Sequence, residues 1–232
     1  AIPALGERIH PHYGVFSPVR GEYVDLIAKA PLPSLELAFD IGTGTGLLSL
    51  MFAQKNYSAQ IDAVEIDAPA AIQAKENINN SPWANRIKIF NLDILSFKSE
   101  KKYDCIISNP PFFENNLQSP DAAINKARHN SSLSLLQLIQ IANTYLANAG
   151  CFAVLLPCQL AGFFIAECNK YNLFLSRQVL VKQTNNHLPF RSIKKKKKEK
   201  LETQFAEITI KDKENIYTET FTAALKDYYL YM

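Results

Sequence analysis

The chain has 232 residues, 47% of them hydrophobic, which is enough to bury a full core in one domain. No run approaches the roughly 18 consecutive apolar residues that a membrane span needs, and a net charge of only +3 does not announce a nucleic-acid binder. The sequence begins at Ala1 rather than Met, which points to a missing leading piece, and its start has neither the basic nor the apolar region of a signal peptide.

Residues 1–34 read as a leader or cap. From there, strand-like runs at 35–41, 60–65, 86–91, 103–108 and 150–156 alternate with helical patterns at 47–55, 68–79 and 133–148. Strands alternating with helices indicate βαβ units and a parallel sheet covered on both faces, so 35–232 reads as one α/β domain. After a helix at 160–171 the pattern changes. The runs at 173–181 and 202–210 are expected to pair as an antiparallel hairpin at the sheet edge. The basic stretch 191–200 lies between them as an inserted loop. Lys194 to Lys198 is an unbroken run of like charges, expected to be a solvated loop or a phosphate-contacting arm carried by Lys194, Lys195 and Lys196. Residues 211–232 follow as a charged turn and a short amphipathic helix. It ends in Tyr228-Tyr229-Leu230-Tyr231, a tail expected to pack against the sheet.

The four cysteines (Cys105, Cys151, Cys158, Cys168) include no C-x-x-C pair, so they read as free, mostly buried thiols of a cytoplasmic protein. His10, His12, His129 and His187 form no helical i, i+4 pair and have no accompanying carboxylate cluster; no metal site is expected.

Chemistry-bearing residues fall at successive strand ends. The first strand runs into Asp40-Ile-Gly42-Thr-Gly44-Thr-Gly46 and directly on into a helix. Such glycines let the chain turn tightly and bring a ligand close to the backbone near a helix N-terminus. Dinucleotide sites use G-x-G-x-x-G instead. Asp40, two residues before the first glycine, would repel a pyrophosphate but suits a cofactor with a cationic amino-acid group. Glu65 ends the second strand, placed to accept the two hydroxyls of a ribose, with Asp67 as the competing carboxylate. The third strand leads to Asp93, which either accepts from an adenine amino group, with Ile94 or Leu92 against the ring, or caps a turn. The fourth ends in Asn109-Pro110-Pro111-Phe112. Two prolines stiffen that corner. The amide oxygen and a backbone carbonyl can then grip a planar NH2 group while an aromatic ring stacks on its face.

Glycine loop, ribose acid, adenine acid and Asn-Pro-Pro-Phe corner, in this order, resemble the class I S-adenosylmethionine-dependent methyltransferases. The corner is similar to that of members methylating planar amino or amide nitrogens. Three segments narrow the resemblance to the bacterial valine-tRNA (adenine-37-N6)-methyltransferases: Asn77-Ile-Asn-Asn-Ser-Pro-Trp-Ala-Asn-Arg-Ile87, Ile107-Ser-Asn-Pro-Pro-Phe-Phe-Glu-Asn115 and Tyr217-Thr-Glu-Thr-Phe-Thr-Ala-Ala-Leu-Lys-Asp-Tyr-Tyr-Leu230. Ser119-Pro-Asp121 with Ala127-Arg128-His129 is also similar to the family's loop after the corner. Two segments depart from its pattern. The leader His12-Tyr-Gly-Val-Phe-Ser-Pro-Val-Arg20-Gly-Glu-Tyr23 is more like that of other small class I methyltransferases. The lysine run also replaces a shorter basic turn.

The resemblance implies a Rossmann-like fold with a mostly parallel, seven-stranded sheet, helices on both faces and an antiparallel C-terminal hairpin. It also implies S-adenosylmethionine as cofactor and a tRNA partner. Asp40, Gly42, Gly44, Gly46, Glu65, Asp93, Ile94 and Asn109 would face the cofactor. Asn109, Pro110, Pro111 and Phe112 would be catalytic, and Phe112, Phe113 and Arg128 would meet the substrate. Arg20 pairs either with the cofactor carboxylate or with Glu22 or Asp25. The same chemistry on guanine N2 of rRNA, DNA adenine or a protein glutamine amide is the nearest alternative. A nicotinamide-dependent oxidoreductase and a non-enzymatic RNA-binding module are the readings from other classes.

Overall fold

Short β-rich runs bounded by glycine, asparagine and proline make the strands. They are β1 (Leu37–Ile41), β2 (Gln60–Glu65), β3 (Ile87–Asn91), β4 (Tyr103–Ser108), β5 (Leu146–Pro157), β6 (Phe174–Lys182), β7 (Arg191–Lys197) and β8 (Gln204–Thr209). The helices are α1 (Leu47–Lys55), α2 (Ala68–Asn79), α3 (Leu135–Tyr145), α4 (Ala161–Lys170) and α5 (Glu219–Leu225). The structure is a computed structural model, and it describes residues 36–110 and 133–225. The expected leader with Arg20, the segment holding Pro111, Phe112, Phe113 and Arg128, and the aromatic tail lie outside the described residues.

The strands form one sheet in the order β3-β2-β1-β4-β5-β7-β6-β8. The five strands from β3 to β5 are parallel, and the chain reverses its direction of travel across the sheet between β1 and β4. In open α/β sheets that switch point leaves a crevice at the carboxyl ends of the strands. One core layer packs α1, α2 and α5 against the sheet through Leu50, Phe52, Ile78 and Phe221. The other packs α3 and α4 through Leu138, Ile139, Phe164 and Cys168. Seven successive residues of α1, Leu47 to Ala53, are buried, so this helix is an interior element with no solvent stripe. A capping box between Ser134 and Gln137 starts α3.

The C-terminal strands correct the sequence-based expectation in four ways. First, α3 stops at Tyr145, short of 148, because Leu146 leaves the helix to pair with Tyr103 at the start of β5. Second, the sheet has eight strands among the described residues, one more than expected. Third, the stretch 191–200 is no inserted loop: most of it is β7, antiparallel to both β5 and β6. The antiparallel hairpin is therefore β6–β7, and β8, expected to run antiparallel to β6, runs parallel to it at the edge. Fourth, Lys194 and Lys196 are fully buried and Lys195 nearly so, which removes all three from the surface where a phosphate could meet them.

Strand geometry explains why consecutive lysines can be accommodated. Successive side chains point to opposite faces, so no two adjacent ammonium groups compete for the same space. Lys194 and Lys196 lie opposite Val154 and Phe152 on the α3–α4 face, where their methylene stems serve as apolar filler. The backbone of β7 meanwhile supplies ladder hydrogen bonds to both neighbours, whatever side chains it carries.

Candidate active site

At the carboxyl edge, β1 ends in Asp40 and Ile41 and gives way to three glycines with positive φ: Gly42 (74°), Gly44 (57°) and Gly46 (82°). They do different work. Among the described residues, a Cβ on Gly42 or Gly44 would meet nothing within 4 Å, so the backbone there has no close neighbour among them. A Cβ on Gly46 would touch Ala74 and Ile78 of α2 at 3.4 Å, so Gly46 also serves helix packing where it caps α1. The loop is pinned to the tip of β2, because the N–H groups of Gly42 and Thr43 both donate to the Val64 carbonyl, at 2.9 and 3.1 Å.

Asp40 is fully buried beneath this loop. Its Oδ2 accepts hydrogen bonds from Thr43 Oγ1 at 2.6 Å and Ser49 Oγ at 2.7 Å. Its Oδ1 has no partner among the described residues. Burial raises the Asp40 carboxyl to about 6; the two hydroxyls oppose that rise, and the nearby Glu65 charge adds to it.

Glu65 is almost completely buried. Oε2 accepts from the Gly44 N–H at 2.8 Å and Oε1 from the Asp67 N–H at 2.9 Å. Each carboxylate oxygen keeps a second lone-pair direction, so Glu65 can still accept a vicinal diol. Asp67 is committed elsewhere, since its side chain accepts from Ala70 N–H and caps α2. Of the two acids, Asp67 is thus the one engaged in a helix cap. Asp93 is exposed, and its Oδ1 caps a short 3-10 turn by accepting from Leu95 N–H at 2.9 Å. Ile94 turns into the core on the α3 side, leaving little of its surface for a ring. Ile66, half exposed directly after Glu65, offers more apolar surface at this edge.

β4 brings the fourth element. Ile41 and Ser108 are register partners, and Ser108 Oγ donates to the Ile41 carbonyl at 2.8 Å. This buried bond ties the ends of β1 and β4 together, so Asn109 begins beside the glycine loop. Asn109 is half-buried and Pro110 buried.

The fold brings Asp40, the glycines, Glu65 and Asn109, all singled out in the sequence, to one edge. Sequence reasoning missed Thr43 and Ser49, which hold Asp40, and Ser108, which anchors the corner. It also missed Asn91, whose Nδ2 donates to the Glu65 carbonyl at 2.9 Å and steadies the tip of β2. A hydroxyl at loop or first-turn spacing from a buried acid was the available signal for the first two. Among the described residues no group of three or more His, Cys, Asp or Glu is placed to hold a metal. No helix among them is long and apolar enough to cross a membrane.

Comparison with known proteins agrees with this geometry. The methyltransferase small domain family matches residues 7–156. The tRNA1(Val) (adenine(37)-N6)-methyltransferase of Pectobacterium carotovorum is 38% identical over 208 residues, covering 88% of this chain and 84% of the relative. The chain belongs to this methyltransferase family. The enzyme of the same name from Trichodesmium erythraeum is 40% identical over 199 residues, covering 84% and 83% of the two chains.

Among solved structures, a predicted O-methyltransferase of Agrobacterium tumefaciens superimposes with a TM-score of 0.67 at 16% identity, covering 88% of this chain and 95% of the other. A methyltransferase of Pyrococcus furiosus gives 0.62 at 22% identity, covering 84% and 90%. These two carry the fold alone. Family and fold make S-adenosylmethionine the methyl donor. The residues fit it: Asp40 keeps a buried acceptor for an amino group, Glu65 keeps lone pairs for a ribose, and Gly42 and Gly44 leave room above the loop.

Proposed function

We propose that this chain methylates the exocyclic N6 of an adenine in tRNA, adenine 37 of a valine tRNA. The observation that carries the reading is the Asn109-Pro110 corner, fastened by Ser108 beside the glycine loop in a chain similar over most of its length to enzymes of that name. Bound S-adenosylmethionine supplies an electrophilic sulfonium methyl. Glu65 holds the ribose hydroxyls, Asp40 faces the amino-acid end, and Asn91 keeps the β2 tip in place.

The exocyclic nitrogen of adenine is a weak nucleophile because its lone pair is delocalised into the ring. The Asn109 amide oxygen and the Pro110 carbonyl accept its two N–H bonds, which draws the nitrogen toward tetrahedral geometry and localises that lone pair. Phe112, with Phe113, stacks on the base once it has left its loop, and Arg128 meets a phosphate. Catalysis in this reading rests on orientation and electrostatics, with the rigid Pro110-Pro111 backbone as the support. A tRNA substrate places the protein in the cytoplasm.

Transfer of labelled methyl groups from S-adenosylmethionine to separated tRNA, rRNA, DNA and protein fractions tests the substrate class. Label confined to tRNA supports the proposal, whereas label in rRNA, DNA or protein alone contradicts it.

A further inference from the structure

Cys105 on β4 and Cys151 on β5 are direct register partners, and both are fully buried. Their sulfurs share a hydrogen-bond contact at 3.6 Å. The adjoining backbone is irregular: the β4–β5 register shifts between Tyr103 and Cys105. Gly150, immediately before Cys151, sits so close to β4 that a Cβ would lie 2.9 Å from the Tyr103 carbonyl oxygen. A strand bulge of this kind bends the strand and interrupts the ladder locally. A disulfide needs the sulfurs at about 2.05 Å, so the two side chains must approach by roughly 1.5 Å.

The surroundings separate the two thiols. Lys195 and Lys197 lie opposite Ala153 and Cys151 on β7, on the same sheet face as the cysteines. The contact with Cys105, then the Lys195 and Lys197 ammonium groups, pull the Cys151 thiol below its ordinary range against its burial. The same sulfur contact and burial push Cys105 up. Of the two thiols, Cys151 is thus the more readily deprotonated.

We propose that Cys105 and Cys151 are a redox-active dithiol that a peroxide closes to a disulfide, and that closure reversibly disables the corner at the end of β4. Cys151 sulfur attacks one peroxide oxygen and the O–O bond breaks. The departing hydroxide takes the Cys151 proton as water, leaving a sulfenic acid. Cys105 sulfur then attacks that sulfur, the S–O bond breaks, and hydroxide leaves with the Cys105 proton as a second water. Two electrons pass from the two sulfurs to the peroxide oxygens. Ser108 ends the same strand three residues beyond Cys105 and Asn109 follows it, so strain from closure there is passed to the corner beside the glycine loop. A displacement near 1 Å at a positioning group costs on the order of 10²-fold in rate.

The test treats the folded wild-type protein with hydrogen peroxide, blocks free thiols with N-ethylmaleimide, and maps disulfides by fragmentation mass spectrometry. The expected product is a Cys105–Cys151 linked peptide pair, with methyl transfer reduced on the order of 10²-fold and restored by dithiothreitol. Cys151→Ser should lose the link and keep its transfer activity under peroxide. Recovery of both cysteines as alkylated thiols, their conversion to sulfonic acids without a link, or a link with undiminished transfer would each overturn the proposal. The mapping does not depend on methyl transfer, so failure of the dithiol and failure of the assigned reaction are distinguishable.

Discussion

Buried charge is handled in opposite ways at the carboxyl edge of β1 and β2 and in the middle of β7. At the carboxyl edge, Asp40 and Glu65 are both buried, yet each is supplied with donors: Thr43 and Ser49 for one, the Gly44 and Asp67 amides for the other. In β7, Lys194 and Lys196 are equally buried, but neither ammonium has a hydrogen-bond partner among the described residues. An incompletely satisfied acid at a strand tip keeps an acceptor that a cationic group can use. An unsatisfied base in mid-strand is a stability cost that nothing at the site uses.

Substitutions at the two regions should therefore separate function from stability. The largest effect is expected at the corner: Asn109→Ala should lower transfer by about 10³-fold, the scale of a lost transition-state hydrogen bond. Calorimetry should show cofactor affinity unchanged. Normal turnover in that variant would remove Asn109 from the mechanism.

In β7 the expected direction is reversed. Burial lowers Lys194 to about 8 and also lowers Lys196, whereas both titrate near 10.4 when unfolded. Between those values the unfolded chain binds more protons, so stability should rise with pH from about 8 toward 10. Below that window the full penalty applies. Lys194→Met should stabilise the protein by about 3 kcal/mol at pH 7, flatten the alkaline rise, and leave transfer unchanged. Urea unfolding at pH 7 and 10 measures both, and a destabilised variant would contradict the account.

Smaller effects are expected on the cofactor. Glu65→Ala should weaken S-adenosylmethionine binding by about 2 kcal/mol, since it removes a charged acceptor and frees the Gly44 amide. An unaltered dissociation constant would refute the ribose assignment. For Asp40, the ionised carboxylate is the form that attracts an amino group, so affinity should fall about tenfold as pH drops from 7 to 5. Asp40→Asn should bind more weakly at pH 7 and lose that pH dependence.

The same contrast marks what the sequence made legible. From β1 to β5, apolar runs alternate with helical patterns, and the chemistry sits at strand tips where local motifs specify it. Asp40, Glu65 and Asn109 could therefore be placed at one edge without coordinates. For Asp93 the sequence leaves two readings, because a cap and a ring-binding acid look the same in one dimension, and the structure shows the turn cap through Oδ1. The lysine run was misread for a different reason. Charge patterning predicts solvation, but β7 is held by ladders to β5 and β6 and by neighbours such as Phe152 and Val154, which lie roughly forty residues away in the chain. Long-range pairing overrode local composition there. The parallel pairing of β6 with β8 was hidden by the same cause, since β7 occupies the place that a simple hairpin would have filled.

Nucleoside mass spectrometry of unmodified valine tRNA, after incubation with the protein and S-adenosylmethionine, tests the central claim most directly. The account predicts one methyl on N6 of adenine 37, absent with Asn109→Ala. A methyl on another base, or no transfer by wild-type protein that binds the cofactor, would contradict it.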